Sequence, residues 1–206
     1  MNRDTMPRLK DLCRTLPLAA LIAVAGCSDI LPAPAEPPPL EGAALGGDFT
    51  LTAEDGQPFS WSELDGQYRT IYFGYTYCPD VCPVDVQRAM AGLKLFEEQD
   101  PKRGMKVQPL FVGIDTARDT PPVLSEFTAN FHPRLIGLTG DEETLTKVAS
   151  QYAASFSKGD EAPGGGYLVN HTNVTLLFGP DGKPITTLPT EMGAEAVAAE
   201  LDKWVR

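Results

Sequence analysis

From residue 48 onward the chain alternates between short apolar runs and longer segments whose apolar positions recur every three or four residues. Residues 48–52 alternate, residues 54–57 read as a turn and residues 58–61 extend again, which predicts a β-hairpin. Residues 62–66 read as a turn or a single helical turn. The apolar, aromatic run 69–75 predicts a buried central strand, and 106–115 a second one. Between them, residues 80–99 carry Val84, Val86, Met90, Leu93 and Phe96 at helical spacing, with Glu97 and Glu98 on the solvated side. Residues 121–131 predict a second helix, with prolines suited to its first turn. A short strand at 135–138 follows, then a third helix at 141–152 with an N-cap at Gly140 or Asp141 and acids in its first turn. Residues 158–166 are polar and glycine-rich and read as a mobile loop. Strands at 174–178 and 183–188 flank Gly179-Pro180-Asp181-Gly182, a hairpin signal, and residues 194–205 form a terminal helix.

Hairpin, then β-α-β-α-β-α, then a late hairpin and a helix describe an α/β three-layer sandwich of the thioredoxin-like type, with strands added at its start. The polar and apolar pattern before residue 48 is different. Residues 1–14 carry Arg3, Arg8, Lys10 and Arg14 against Asp4 and Asp11, and the apolar run 16–25 ends in Val24-Ala25-Gly26-Cys27. That is the order of an export signal, with Met6 a second possible start. The apolar run is shorter than the roughly 20 residues of a transmembrane helix. Val24-Ala25-Gly26-Cys27 resembles the lipobox of bacterial lipoproteins, which implies cleavage after residue 26 and a lipid on Cys27. Residues 28–47 hold Pro32, Pro34, Pro37, Pro38 and Pro39 and read as an extended tether. The expected organisation is therefore signal 1–26, lipidated cysteine and linker 27–47, and one globular domain 48–206, which is long enough to bury a real core.

The formal charge of the chain is −11; loss of residues 1–26, with four basic and two acidic groups, takes it to about −13. This disfavours nucleic acid and anionic membrane surfaces as partners. Of the four cysteines, Cys13 falls in the signal and Cys27 at the anchor, so Cys78 and Cys82 remain in the domain. One close pair in an exported protein is not a disulfide scaffold. The pair sits in Tyr75-Thr76-Tyr77-Cys78-Pro79-Asp80-Val81-Cys82-Pro83, at the junction of a strand and a helix N-terminus. Spacing i, i+4 on a helix brings two thiols to one face, close enough for a reversible disulfide, and the helix N-terminus favours thiolate. The same pair offers two soft ligands to a metal. Zinc asks for three or four protein ligands, whereas Cu(I) prefers thiolates and accepts three. The histidines are His132, just after helix two, and His171, between the glycine-rich segment and a buried strand. His171 is the better third ligand; His132 suits a helix-end role. Redox chemistry and metal binding both stand at this point.

Four blocks then carry a family resemblance. Tyr72-Phe73-Gly74-Tyr75-Thr76-Tyr77-Cys78-Pro79-Asp80-Val81-Cys82-Pro83, Gly113-Ile114-Asp115-Thr116-Ala117-Arg118-Asp119-Thr120, Phe131-His132-Pro133 with Gly137-Leu138-Thr139-Gly140, and Tyr167-Leu168-Val169-Asn170-His171 appear in the order of the Sco/SenC proteins. The resemblance implies a thioredoxin-like fold, a membrane tether facing the periplasm or the mitochondrial intermembrane space, and copper, Cu(I) or Cu(II), held by Cys78, Cys82 and His171. It implies assembly of the copper centre of cytochrome c oxidase, with the copper-site subunit of the oxidase as partner beside other periplasmic copper carriers or thiol reductants. The chain departs from the pattern at Tyr77, where many members have histidine, at Thr116 for proline, at Asn170 for an acid and at Thr172 for serine. Its tether also reads as lipid rather than a helix. Asp115 is expected either beside the copper or, with Arg118 and Asp119, in a cluster that stabilises its loop. A thiol–disulfide oxidoreductase acting without copper is the alternative. A peroxiredoxin-like peroxidase does not fit, because that pattern places threonine three residues before the cysteine and Thr76 is two before Cys78.

Overall fold

The structure, a computed structural model, describes residues 36–161 and 166–206. The expected export signal, Cys27 and the start of the proline-rich segment lie outside the described residues. No helix among the described residues is long and apolar enough to cross a membrane.

Among the described residues the strands and α-helices follow in the order β1 (Thr50–Ala53), β2 (Pro58–Ser60), β3 (Tyr68–Gly74), α1 (Val81–Gln99), α2 (Pro101–Gly104), β4 (Val107–Gly113), α3 (Pro121–Ala129), β5 (Ile136–Thr139), α4 (Glu142–Gln151), β6 (Phe156–Glu161), β7 (Tyr167–His171), β8 (Thr175–Phe178), β9 (Pro184–Leu188) and α5 (Ala194–Trp204). The main sheet runs β2-β1-β5-β4-β3-β8-β9. Its centre, β5-β4-β3, is parallel, and the two hairpins close it from either side as antiparallel edges. Every residue of β3 is buried, as expected of a central parallel strand covered on both faces.

Alternate side chains of β3 and β4 point to opposite layers. Tyr72 stacks on Phe111 at 6.2 Å, and Phe111 meets Phe127 of α3 at 4.8 Å. On this face α1 also packs against α5, and Gly92 permits the approach: a Cβ there would stand 2.5 Å from Val197. On the other face Phe73 and Phe178 meet Tyr152 at the end of α4, and Trp61 and Phe49 complete that cluster. The result is the three-layer thioredoxin-like sandwich.

Three local differences from the pattern reading have physical causes. Val84, counted on the apolar side of α1, stays exposed, while Ala89 and Gly92 join the buried side. Residues 36–47 do not hang free: Leu40 N–H donates to Ile185 O at 3.0 Å, Gly46 N–H to Gln151 O at 2.8 Å, and the Tyr152 hydroxyl to Gly47 O at 2.7 Å. The polar segment expected as a loop supplies β6, which pairs with β7 in a separate two-stranded ribbon. Little of this ribbon is buried, so backbone pairing rather than an apolar face defines it, and hydropathy could not reveal it.

Candidate metal centre

The parallel strands end together at one pole, which is where ligands bind in open α/β sheets. β3 delivers the segment 75–80 there, and α1 starts at Val81. Cys82 is the second residue of α1 and fully buried, whereas Cys78 stands in the preceding turn, its N–H donating to Tyr75 O at 3.2 Å. The pair is thus not two positions of one helix. Cys78 Sγ instead accepts the Cys82 backbone N–H at 3.4 Å, one of the amides that an α-helix leaves unpaired at its start. Both cysteines are free thiols.

The ribbon brings the third group from 89 residues away: Cys82 Sγ lies 3.0 Å from His171 Nε2. The ligand atoms of Cys78, Cys82 and His171 all fall within 4.8 Å of one another. His171 Nδ1 is 3.1 Å from Thr172 O. A carbonyl only accepts, so Nδ1 carries a proton, and Nε2 is the nitrogen that faces the sulfurs. The imidazole is wedged edge-on between Tyr72 and Tyr75, with ring centroids 6.1 and 5.8 Å away. Two sulfurs and one imidazole in a buried cluster make a donor set for a soft, low-coordinate ion.

The thiols are unequal. A hydrogen bond from Cys82 lowers Cys78 to about 3, against the cost of its burial and with further help from His171 and the Cys82 amide. Cys82 is pushed up, first by donating to Cys78 and then by burial. Burial opposes charge on His171, yet bonding to Cys78 and to Thr172 leaves its affinity for a proton raised on balance. Cys78 is the thiolate and Cys82 holds the shared proton.

Asp115 is not among the ligand atoms. Its Oδ1 accepts the Tyr167 hydroxyl at 2.7 Å, its Oδ2 pairs with Arg118 Nε, and Arg118 Nη2 donates to Tyr167 O at 3.0 Å. The guanidinium also lies 3.9 Å from the Tyr167 ring centroid. Asp115 and Arg118 therefore strap the start of β7 to the loop after β4, and β7 carries His171. Asp119 has a separate task. Buried at 1% exposure, its carboxylate accepts Thr76 N–H at 3.0 Å, Thr76 Oγ1–H at 2.7 Å and Asp115 N–H at 3.1 Å. It latches the cysteine turn to the same loop; the pattern reading had named it only as a member of a charge cluster. His132 is remote from the triad: its Nε2 faces Glu97 Oε2 at 3.3 Å and its Nδ1 accepts Arg134 N–H at 3.2 Å.

Comparison with known proteins agrees with this arrangement. The family model described as SCO1/SenC matches residues 37–206. The mitochondrial protein SCO2 of Saccharomyces cerevisiae is 38% identical over 167 residues, which cover 79% of this chain and 54% of that protein. Protein SenC of Rhodobacter capsulatus is 42% identical over 141 residues, 67% of this chain and 60% of that protein. The chain thus spans little more than half the length of these relatives. Among solved structures, Bradyrhizobium japonicum ScoI with copper bound superposes with a TM-score of 0.69 at 32% identity, covering 78% of this chain and 99% of that one. With the triad, the thioredoxin-like fold and the family match in register, the chain belongs to the SCO1/SenC family.

Proposed function

We propose that this chain is a copper-binding assembly factor that serves the copper centre of cytochrome c oxidase, holding one copper ion as cargo on Cys78, Cys82 and His171. The observation that carries the reading is the convergence of those three ligand atoms within 4.8 Å. Support comes from a family relative solved with copper bound. Cu(I) is satisfied by two thiolates and one imidazole, and Cu(II) also takes this donor set. Cys78, 9% exposed, is the sulfur an incoming ligand reaches first, and Cys82, fully enclosed, is the last to let go. We place the domain in the periplasm on a lipid at Cys27, so that the site is tethered near its client, the copper-site subunit, and near periplasmic copper carriers or thiol reductants.

The test is titration of the full chain with Cu(I) and Cu(II). The expected stoichiometry is one ion per chain, lost in Cys78→Ala, Cys82→Ala and His171→Ala. A His171→Ala chain that holds Cu(II) as tightly, with an unchanged spectrum, refutes the three-ligand site.

A second reading, a thiol–disulfide oxidoreductase working without copper, is favoured by the depressed Cys78 and its position beside Cys82. The Cys78 thiolate would attack a partner disulfide, forming a mixed disulfide and releasing one partner thiolate. Cys82 would then attack Cys78 Sγ, releasing the second, so two electrons pass to the partner and the chain is left as the Cys78–Cys82 disulfide. Undiminished reduction of the oxidase cysteines by the copper-free His171→Ala chain would favour this reading.

A further inference from the structure

Arg118 stands where the three pieces that carry the copper site meet. In its own loop, Nε pairs with Asp115, whose side chain is 4% exposed. Towards the ribbon, Nη2 donates to the carbonyl of Tyr167, the first residue of β7, and the guanidinium lies over the Tyr167 ring. Towards the cysteine turn, its carbon lies 5.7 Å from the Tyr75 ring centroid and 5.2 Å from that of Tyr77. All three rings are within reach of a cation–π attraction. Tyr75 in turn stands edge-on to His171. The ribbon needs such a tie. Little of it is buried, and the pairing of β6 with β7 holds the strands to each other rather than to the main sheet. At one end of β7 His171 meets Cys82; at the other, Tyr167 is bound to Asp115 and Arg118.

We propose that Arg118 is a positioning residue for the third copper ligand: it clamps the Tyr167 end of β7 to the loop after β4 and backs the Tyr75 wall, so that His171 is held in the pose that meets Cys78 and Cys82. This rests on the copper reading. The reason is geometric. A guanidinium fork serves a carboxylate and a carbonyl at once and stacks on an aromatic face, which the point charge of a lysine cannot do. A buried ion pair adds little net stability, because both charges leave water, so its use here is to fix direction. The two sulfurs do not depend on the clamp: Cys82 sits on α1, and Asp119 holds the turn that carries Cys78. Without Arg118 the ribbon pivots, and the imidazole meets the metal for only a fraction of the time. Copper affinity falls by that fraction.

The experiment loads the full chain with Cu(II) and compares wild type with Arg118→Met, which keeps an apolar stem and loses the fork. Chelator competition reads the affinity, and pulsed electron paramagnetic resonance reads the imidazole nitrogen on the metal. The expected result is an affinity about tenfold weaker and a diminished imidazole modulation, with the sulfur-to-copper charge-transfer band still present. Lys158→Met is the control: it strips a second cation, 4.4 Å from the Tyr167 ring centroid, without untying β7, and should match wild type. A role in stability alone would lower the melting temperature of Arg118→Met and leave affinity and modulation at their wild-type values. That result overturns the inference, as does an equal loss in Lys158→Met. Should Arg118→Met fail to fold, Tyr167→Phe decides, because it removes only the hydroxyl bond to Asp115. It should show a smaller loss of affinity and modulation together, and wild-type values of both overturn the inference. A wild-type chain that takes up no copper, or takes it up with no imidazole modulation, overturns the copper reading itself, which separates that failure from this one.

Discussion

Asp119→Asn should loosen the turn that carries Cys78 without touching a ligand. The carboxylate accepts from two backbone amides, Thr76 and Asp115, and from the Thr76 hydroxyl, all in a buried setting. Asparagine offers one carbonyl oxygen and one NH2 group, so one of the two amides meets a donor instead of an acceptor. A buried donor left unmet costs about 1–3 kcal/mol, and a lost hydrogen bond to a charged group about as much, so the expected loss of stability is about 2–3 kcal/mol. Urea unfolding measures it, and amide exchange locates it: Thr76 or Asp115 should lose protection before the rest of β3 does. The pH dependence has a definite sign. Burial raises Asp119 above the usual carboxylate range despite its hydrogen bonds. Its contribution is therefore full below that range and shrinks as pH rises through the raised value, so the gap between wild type and Asp119→Asn should narrow over that interval. An Asp119→Asn chain within about 0.5 kcal/mol of wild type, with Thr76 still protected, would show that the latch is not what orders the turn.

Other perturbations reach different parts of the account. Cys78 should react with iodoacetamide far ahead of Cys82 in the reduced, metal-free chain, as read by peptide mass spectrometry. Its rate should barely change between about pH 6 and 8, where an ordinary thiol would gain roughly 50–100-fold; a rate that climbs like an ordinary thiol's refutes the thiolate assignment. Gly92→Ala should destabilise the chain by about 1–3 kcal/mol in chemical unfolding, because the new methyl meets Val197 and the Ala194 carbonyl at 2.5 and 2.8 Å and must part α1 from α5; a neutral result would mean that the helices separate at no cost. Thr175→Val should be neutral or stabilising by about 1 kcal/mol, since Thr175 Oγ1 is the one buried side-chain polar atom among the described residues without a hydrogen-bond partner; a loss of 1 kcal/mol or more would show that the hydroxyl is served after all.

Much of the fold was legible because its centre obeys simple periodicities. The apolar, aromatic stretches 71–75 and 109–114 marked β3 and β4, and helical spacing marked α1. The ribbon β6-β7 was hidden because it presents polar side chains and is held by backbone pairing, which leaves no hydropathic trace. At the site, Cys78, Cys82 and His171 were nameable from residue type, setting and resemblance, but not their mutual geometry, which depends on a strand 89 residues away from Cys82. That Cys78 lies outside the helix and accepts its first free amide was likewise invisible to an i, i+4 argument. Asp119 acts through hydrogen bonds that close only on folding. The one local signal for it was its place four residues after Asp115 in a loop that follows a buried strand.

The central claim is that one copper ion is held by two sulfurs and one imidazole. Copper K-edge absorption of the full chain loaded with one equivalent of Cu(I) addresses it most directly. The account predicts a first shell of two sulfurs and one nitrogen, with the outer-shell scattering of a single imidazole that disappears in His171→Ala. A shell without sulfur, or an imidazole signature that survives in His171→Ala, would contradict it.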